Sequence, residues 1–138
     1  MRAVLDPNVI ISAPLSPSGS PAIVLRAWQH GAYELVLSPA LLAALDRALA
    51  YPKLRARITA EESREVLELL AASARMADDP IEPPAVRSPD PDDDYLVALA
   101  QDERAMLVSG DRHLLGLAGR IPVCTPTDFR RLLDEQDR

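Results

Sequence analysis

Residues 2–11 read RAVLDPNVII, and this stretch decides the fold. The segment from Arg2 to Leu5 is typical of a short buried β-strand, and it ends at Asp6-Pro7-Asn8. In α/β proteins, ligands bind beyond the carboxyl ends of the strands, so a carboxylate delivered there favours a functional site. The same side chain could serve only as the N-cap of the segment that follows. This short stretch leaves both interpretations open.

The rest of the chain alternates short apolar runs with amphipathic stretches. Further strands are predicted over residues 33–37, 105–108 and 121–124. Helices are predicted to start at Ser20-Pro21, Ser38-Pro39, the capping box Thr59–Glu62, Tyr95, Arg112 and Thr125-Pro126. The helix after the capping box is expected to reach about Met76, residues 12–20 to form a Ser/Pro/Gly loop and residues 77–91 a stiff Pro-rich connector. This order predicts an α/β protein, a three-layer α/β/α sandwich with a central parallel sheet.

Length and composition predict one soluble domain. The chain has 138 residues, of which 48% are hydrophobic and 26% charged, and residues 1–138 are expected to form a single domain with a frayed tail over 134–138. The single cysteine excludes a disulfide framework and a Cys-based zinc site. No apolar run approaches the roughly 20 residues needed to span a bilayer, and Met1 leads directly into the first strand, leaving no room for a signal peptide. We therefore expect a cytoplasmic protein without a membrane partner.

The formal net charge of -6 counts against a plain duplex-binding protein. It is compatible with a metal-dependent nuclease, because clustered carboxylates are neutralised when they bind divalent cations. Lys53, Arg55 and Arg57 form a small basic stretch. That stretch is typical of a solvated face, with a phosphate contact as the alternative.

Three groups of carboxylates stand out. Asp6 follows the first strand, Asp111 follows the strand at 105–108, and four of the five residues from Asp90 to Asp94 are aspartates. A helix dipole needs only one or two acids, and four together repel one another unless a cation or a proton intervenes. Parallel strands end at one edge of the sheet, so Asp6 and Asp111 should share that edge. The Pro-rich connector is long enough to bring the acidic run there.

Carboxylates without His or Cys ligands suit Mg²⁺ or Mn²⁺. Such ions can activate water and stabilise the leaving oxygen of a phosphodiester. His30 and His113 do not pair with an evident Ser or Cys nucleophile and are interpreted as surface or structural residues. No Gly-rich nucleotide-binding motif occurs.

Five segments carry a resemblance to a known family. In chain order they are VLDPNVIISA, ELVLSPALLAALDRAL, DPDDDYLVALA, MLVSGDRHLL and PVCTPTDF. Together they resemble the PIN domain, and more narrowly the bacterial PIN-family toxin components of toxin–antitoxin systems, related to VapC-like ribonucleases. The resemblance implies an α/β/α sandwich and a Mg²⁺- or Mn²⁺-dependent ribonuclease. It also implies an RNA substrate, an antitoxin protein as partner and a homodimer.

The resemblance assigns roles to individual residues. The implied catalytic and metal-binding acids are Asp6, Asp93 and Asp111. Asn8 matches the Asn that follows the first acid, and Ser109 matches the hydroxyl that orients Asp111. Asp90 and Asp94 are neighbours that could substitute for Asp93.

The sequence departs from the family pattern at two positions. Pro7 stands where the family usually has Thr, and Ala44 stands where the pattern L-L-x-E-L places a Glu. Asp46 projects from a different face of that helix and is a poor replacement. The alternative function is therefore a catalytically impaired PIN-fold binding or interaction protein, which would show neither RNA cleavage nor stabilisation by metal.

Two other enzyme classes that place an Asp after the first strand are disfavoured. A haloacid-dehalogenase-type phosphotransferase needs D-x-D, which Asn8 breaks. A response-regulator receiver needs a Lys after a late strand, and Lys53 lies elsewhere.

Overall fold

A computed structural model describes residues 1–136 of the chain. Its centre is a five-stranded sheet in the order β3-β2-β1-β4-β5, in which every neighbouring pair is parallel. The strands are β1 Arg2–Leu5, β2 Glu34–Leu37, β3 Arg75–Met76, β4 Met106–Val108 and β5 Val123–Cys124. Helices cover both faces, as a parallel sheet requires. The predicted α/β class and three-layer sandwich are confirmed.

The helices are α1 Pro7–Leu15, α2 Ser20–Gln29, α3 Pro39–Leu49, α4 Pro52–Arg55, α5 Ala60–Ser73, α6 Asp94–Asp102, α7 Arg112–Leu115 and α8 Pro126–Gln136, and a 3₁₀ turn at Pro91–Asp93 precedes α6. Apart from Arg2 and Glu34 at the starts of β1 and β2, the three central strands are apolar because both of their faces are buried. Phe129 of α8 is fully buried and meets the ring of Tyr33 edge to face, with 5.0 Å between the ring centroids. No helix in the described part of the chain is long and apolar enough to cross a membrane.

Helix starts follow the predicted capping chemistry with one small shift. The Ser38 hydroxyl accepts a hydrogen bond from the amide of Leu41, and the reciprocal capping box between Thr59 and Glu62 is present. Ser20 is the first helical residue of α2, and its N-cap is Gly19 rather than Ser20.

Two predicted segments differ from the structure. In the loop predicted over residues 12–20, residues 12–15 are helical because α1 continues to Leu15 and buries Val9, Ile10 and Ala13, whereas residues 16–19 are a loop. The helix predicted to reach Met76 ends at Ser73, and Arg75–Met76 pair with β2 as an edge strand. Both residues of that strand are exposed, so no apolar run indicated it.

The frayed tail predicted over residues 134–138 lies only partly within the described part of the chain. Residues 134–136 belong to α8, and residues 137–138 lie outside the described part of the chain.

Candidate metal centre

Asp6 lies at the carboxyl end of β1 and is almost entirely buried. Its amide donates to the Val108 carbonyl at 2.9 Å, which extends the pairing of β1 with β4 by one residue. Its Oδ1 accepts the amide of Asn8 at 3.0 Å, so the side chain also caps α1. Pro7 occupies the first turn of that helix, where a missing amide is tolerated. The side chain of Asp6 can therefore cap α1 and still serve as a site residue.

Ser109 joins the ends of the two central strands. Its buried hydroxyl donates to Oδ2 of Asp6 at 2.7 Å and accepts the amide of Asp111 at 3.0 Å. The family resemblance implies that this hydroxyl orients Asp111. The structure shows that it orients the carboxylate of Asp6 and holds only the backbone of Asp111. Both oxygens of Asp6 thus have a fixed donor before any ligand binds.

The acidic run reaches the same edge through the 3₁₀ turn at Pro91–Asp93. Asp90 caps this turn, because its Oδ1 accepts the amide of Asp92 at 3.0 Å. Asp93 is the last residue of the turn and faces the other acids. Oδ2 of Asp93 is buried and has no hydrogen-bond donor within residues 1–136.

The environment of Asp93 disfavours its negative charge. Burial, followed by the charges of Asp111, Asp6 and Asp90, raises the pKa of Asp93 from 3.8 to about 6. Ionised carboxylates carry only acceptors, so neighbours of this kind need a shared proton or a cation between them. A buried, unpartnered oxygen facing two further carboxylates fits a hard cation with oxygen ligands.

Asp111 begins α7 as its N-cap, with Oδ1 accepting the amide of His113 at 2.8 Å. Nδ1 of His113 lies 3.8 Å from the same oxygen. One ligand atom each from Asp90, Asp93 and His113 lie within 4.8 Å of one another. His113 is exposed, as its interpretation as a surface residue predicts, and its side chain also lies in the acidic cluster, which the sequence did not predict. Its position two residues after Asp111, at the start of a helix, was the signal that could have indicated this.

Asp94 does not belong to the cluster. It is buried, and its two oxygens accept from the Arg87 guanidinium at 2.7 Å and from the Ser88 amide at 2.8 Å. Burial opposes its ionisation, but these two donors outweigh burial and lower the pKa of Asp94. The expectation that Asp94 could substitute for Asp93 is therefore wrong, because its carboxylate anchors the Pro-rich connector to α6.

A cavity of about 240 Å³ opens beside the acids and is lined by Asp6, Asn8 and Asp93 on one side and by α3 on the other. Ala44 contributes to the α3 wall, at the position where the family pattern has Glu. Asp46 lines a separate groove with Arg64 and so supplies no replacement carboxylate. The larger cavity, about 910 Å³, lies near the opposite ends of the strands, and Glu34 is the one acid among its described lining residues.

Two side chains that the sequence did not indicate also line the smaller cavity. Arg47 lies one turn after Ala44 on α3, and Tyr95 lies in the first turn of α6. Burial and then the charges of Asp6 and Asp93 raise the pKa of Tyr95, while Arg47 opposes them. The charges of Arg47, Asp6 and Asp93 therefore all act on Tyr95 at this cavity.

The fold and the site together define a class: a three-layer α/β protein with a carboxylate centre at the carboxyl edge of its parallel sheet. A family model described as PIN domain matches residues 2–113. The chain therefore belongs to the PIN-domain family, whose members are generally nucleases.

Individual relatives are distant in sequence. An uncharacterized protein of Methanocaldococcus jannaschii is 29% identical over 125 residues, which cover 85% of this chain and 75% of that protein. VapBC2 from Rickettsia felis, bound to a DNA fragment from its promoter, has a similar structure with a TM-score of 0.64 and 14% identity over 91% of this chain and 98% of that chain. FitAcB from Neisseria gonorrhoeae has a TM-score of 0.58 and 23% identity over 91% of this chain and 98% of that chain. These structural likenesses show the fold.

Proposed function

We propose that the protein is a metal-dependent endoribonuclease. The observation that carries the proposal is the buried Oδ2 of Asp93, which has no hydrogen-bond donor within residues 1–136 and lies near enough to Asp111 and Asp6 for their charges to raise the pKa of Asp93. Membership of a family that consists generally of nucleases supports the same reaction class.

The residues at this site fit Mg²⁺ or Mn²⁺. Asp6, Asp93 and Asp111 would hold the ion, with Asp90 beside them and His113 as a nitrogen donor that Mn²⁺ accepts more readily than Mg²⁺. When bound, such an ion supplies an activated water and compensates charge on a phosphodiester.

The chain itself prepares the site in three ways. The hydroxyl of Ser109 and the amide of Asn8 fix the carboxylate of Asp6 before binding, which lowers the reorganisation needed during the reaction. The exposed side chain of Asn8 lines the cavity and can donate to a phosphate oxygen. The repulsion that raises the pKa of Asp93 in the metal-free protein favours a cation at this place, because a cation between the carboxylates relieves that repulsion.

The proposed biological context is a toxin–antitoxin pair. The chain resembles the bacterial PIN-family toxin components. Its fold is similar to chains in the solved structures of VapBC2 and FitAcB. We infer that this chain acts in the cytoplasm as a homodimeric toxin whose activity an antitoxin protein blocks. Analytical ultracentrifugation of the purified chain tests the dimer directly.

The nuclease assignment is tested by substituting one acid. Asp6→Asn keeps the shape of the side chain and one oxygen that can cap α1, while its amide nitrogen can donate to the Ser109 hydroxyl. It removes a ligand charge, so it should fold and fail to cleave RNA in Mn²⁺. Asp102→Asn, at the exposed far end of α6, is the matched control and should cleave like the wild type. Undiminished cleavage by Asp6→Asn would overturn the assignment.

A second candidate function rests on Ala44. No carboxylate of α3 lines the cavity, so a site with three aspartates could have lost metal affinity and left a binding or interaction protein. This candidate predicts no RNA cleavage at saturating Mn²⁺ and no stabilisation by the metal. The same two measurements therefore separate the candidates.

A further inference from the structure

The acidic cavity has one cationic wall residue among the described residues that line it, Arg47. It projects from α3 one turn beyond Ala44 and is exposed. Within residues 1–136 its guanidinium forms no ion pair and no hydrogen bond with another side chain. An arginine that faces Asp6 and Asp93 across a cavity, but is paired with neither, retains its full capacity to bind an anion.

A second feature lies on the next turn of the same wall. Tyr51 follows α3 four residues after Arg47, lines the same cavity, and is 63% exposed, which is unusual for a large aromatic side chain. A guanidinium and an exposed aromatic ring at this spacing match the two groups of a single-stranded nucleic acid, a phosphate and a base.

Beyond Tyr51 the chain continues into the basic stretch for which the sequence left a phosphate contact as the alternative. Lys53, Arg55 and Arg57 are all exposed, and none forms an ion pair within the described chain. In a protein with a net charge of -6, the segment from Arg47 to Arg57 is a local exception, because it holds four basic residues and no acidic one.

We propose that Arg47 and Tyr51 bind single-stranded RNA beside the scissile phosphate, with the guanidinium on a neighbouring phosphate and the ring stacked on a base. This proposal rests on the ribonuclease function proposed above and names its substrate contact. Arg47 supplies the positive charge that an anionic strand needs next to a carboxylate cluster. Tyr51 selects single strands, because the bases of a duplex are not free to stack.

Binding is measured apart from cleavage, so that the two proposals can fail separately. The full chain is titrated into a fluorescent single-stranded RNA oligonucleotide in chelator, where no cleavage occurs, and anisotropy gives Kd. Arg47→Ala should weaken binding roughly tenfold and Arg47→Lys less, since Lys keeps the charge but not the forked geometry. Tyr51→Ala should weaken binding at least about fivefold, whereas Tyr51→Phe should bind like the wild type because the ring remains.

The controls separate a substrate contact from damage to the site. Arg130→Ala removes an exposed arginine from α8, which packs on α2, and it should bind RNA like the wild type. Arg47→Ala and Tyr51→Ala should retain the wild-type stabilisation by Mn²⁺, and in the cleavage assay they should raise KM more than they lower kcat.

The outcomes are distinct. Loss of RNA affinity in Arg47→Ala and Tyr51→Ala, with the Mn²⁺ response kept, supports the proposal even if the wild type fails to cleave. Wild-type affinity in both variants overturns it while leaving the ribonuclease assignment intact. Absence of RNA binding by the wild type, equal binding of duplex RNA, or loss of the Mn²⁺ response in Arg47→Ala also overturns it.

Discussion

Substitution of Asp93 by Asn should stabilise the metal-free protein. Folding raises the pKa of this carboxyl from 3.8 to about 6, so at neutral pH its ionised form is less favourable in the folded than in the unfolded state. At about 1.4 kcal/mol per pKa unit, the rise corresponds to about 3 kcal/mol. Partial exposure to solvent screens the repulsion, so we expect a gain of about 1–2 kcal/mol in the free energy of unfolding.

The assay is urea unfolding at pH 7 in chelator and again in Mn²⁺. In chelator Asp93→Asn should be the more stable protein, and in excess Mn²⁺ the order should reverse, because the wild type gains binding energy that the variant lacks. Asp102→Asn is the control for loss of one negative charge on the same helix and should change stability by less than about 0.5 kcal/mol. A destabilised Asp93→Asn in chelator would refute the reasoning, since it would mean that the carboxylate is a structural partner and not a repelled ligand.

Three further predictions concern other parts of the structure. Asp94→Asn should destabilise the protein by about 2 kcal/mol in urea unfolding, because it removes the charge that holds Arg87 and Ser88 in the connector. Ala44→Glu should tighten Mn²⁺ binding roughly tenfold in calorimetry by adding a carboxylate to the cavity wall, and unchanged affinity would show that this wall does not reach the ion. Burial raises the pKa of Tyr33 above its ordinary 10.0, so stability that is complete below pH 10 falls as the pH rises and the unfolded chain ionises. Tyr33→Phe should lessen that alkaline loss and cost about 1 kcal/mol at neutral pH, because the phenol no longer donates to the Val24 carbonyl.

The sequence predicted the parts of the fold that depend on local patterns. Continuous apolar runs at β1, β2 and β4 indicate strands buried on both faces, and the Ser38 and Thr59 caps mark helix starts. The edge strand β3 was missed because its two exposed residues are ordered by pairing with β2, which is a long-range contact. Residues 12–15 were predicted as loop because residues 12–20 are rich in Ser, Pro and Gly, yet α1 continues through Pro14 and is held by its buried side chains.

The sequence likewise predicted one part of the candidate site and missed another. That Asp6 and Asp111 share an edge follows from the rule that parallel strands end together, and the structure places them there. Which aspartate of the run from Asp90 to Asp94 faces the cavity depends on the 3₁₀ turn and on the Arg87 contact, neither of which a spacing rule gives. Arg47 lines the cavity through the packing of α3, and no sequence motif indicated it. The position of His113 two residues after Asp111 was the one signal for its place in the cluster.

The most direct test of the account is thermal unfolding of the wild type, Asp6→Asn and Asp111→Asn across a Mn²⁺ titration. If the three aspartates form a metal site, the wild-type midpoint should rise with metal concentration, with about 2.7 kcal/mol of added stability at a hundredfold excess over Kd. Both variants should lose this response while remaining folded, and Asp102→Asn should keep it. A wild type that Mn²⁺ does not stabilise, or variants that respond as strongly as the wild type, would contradict the central claim that these acids bind a metal.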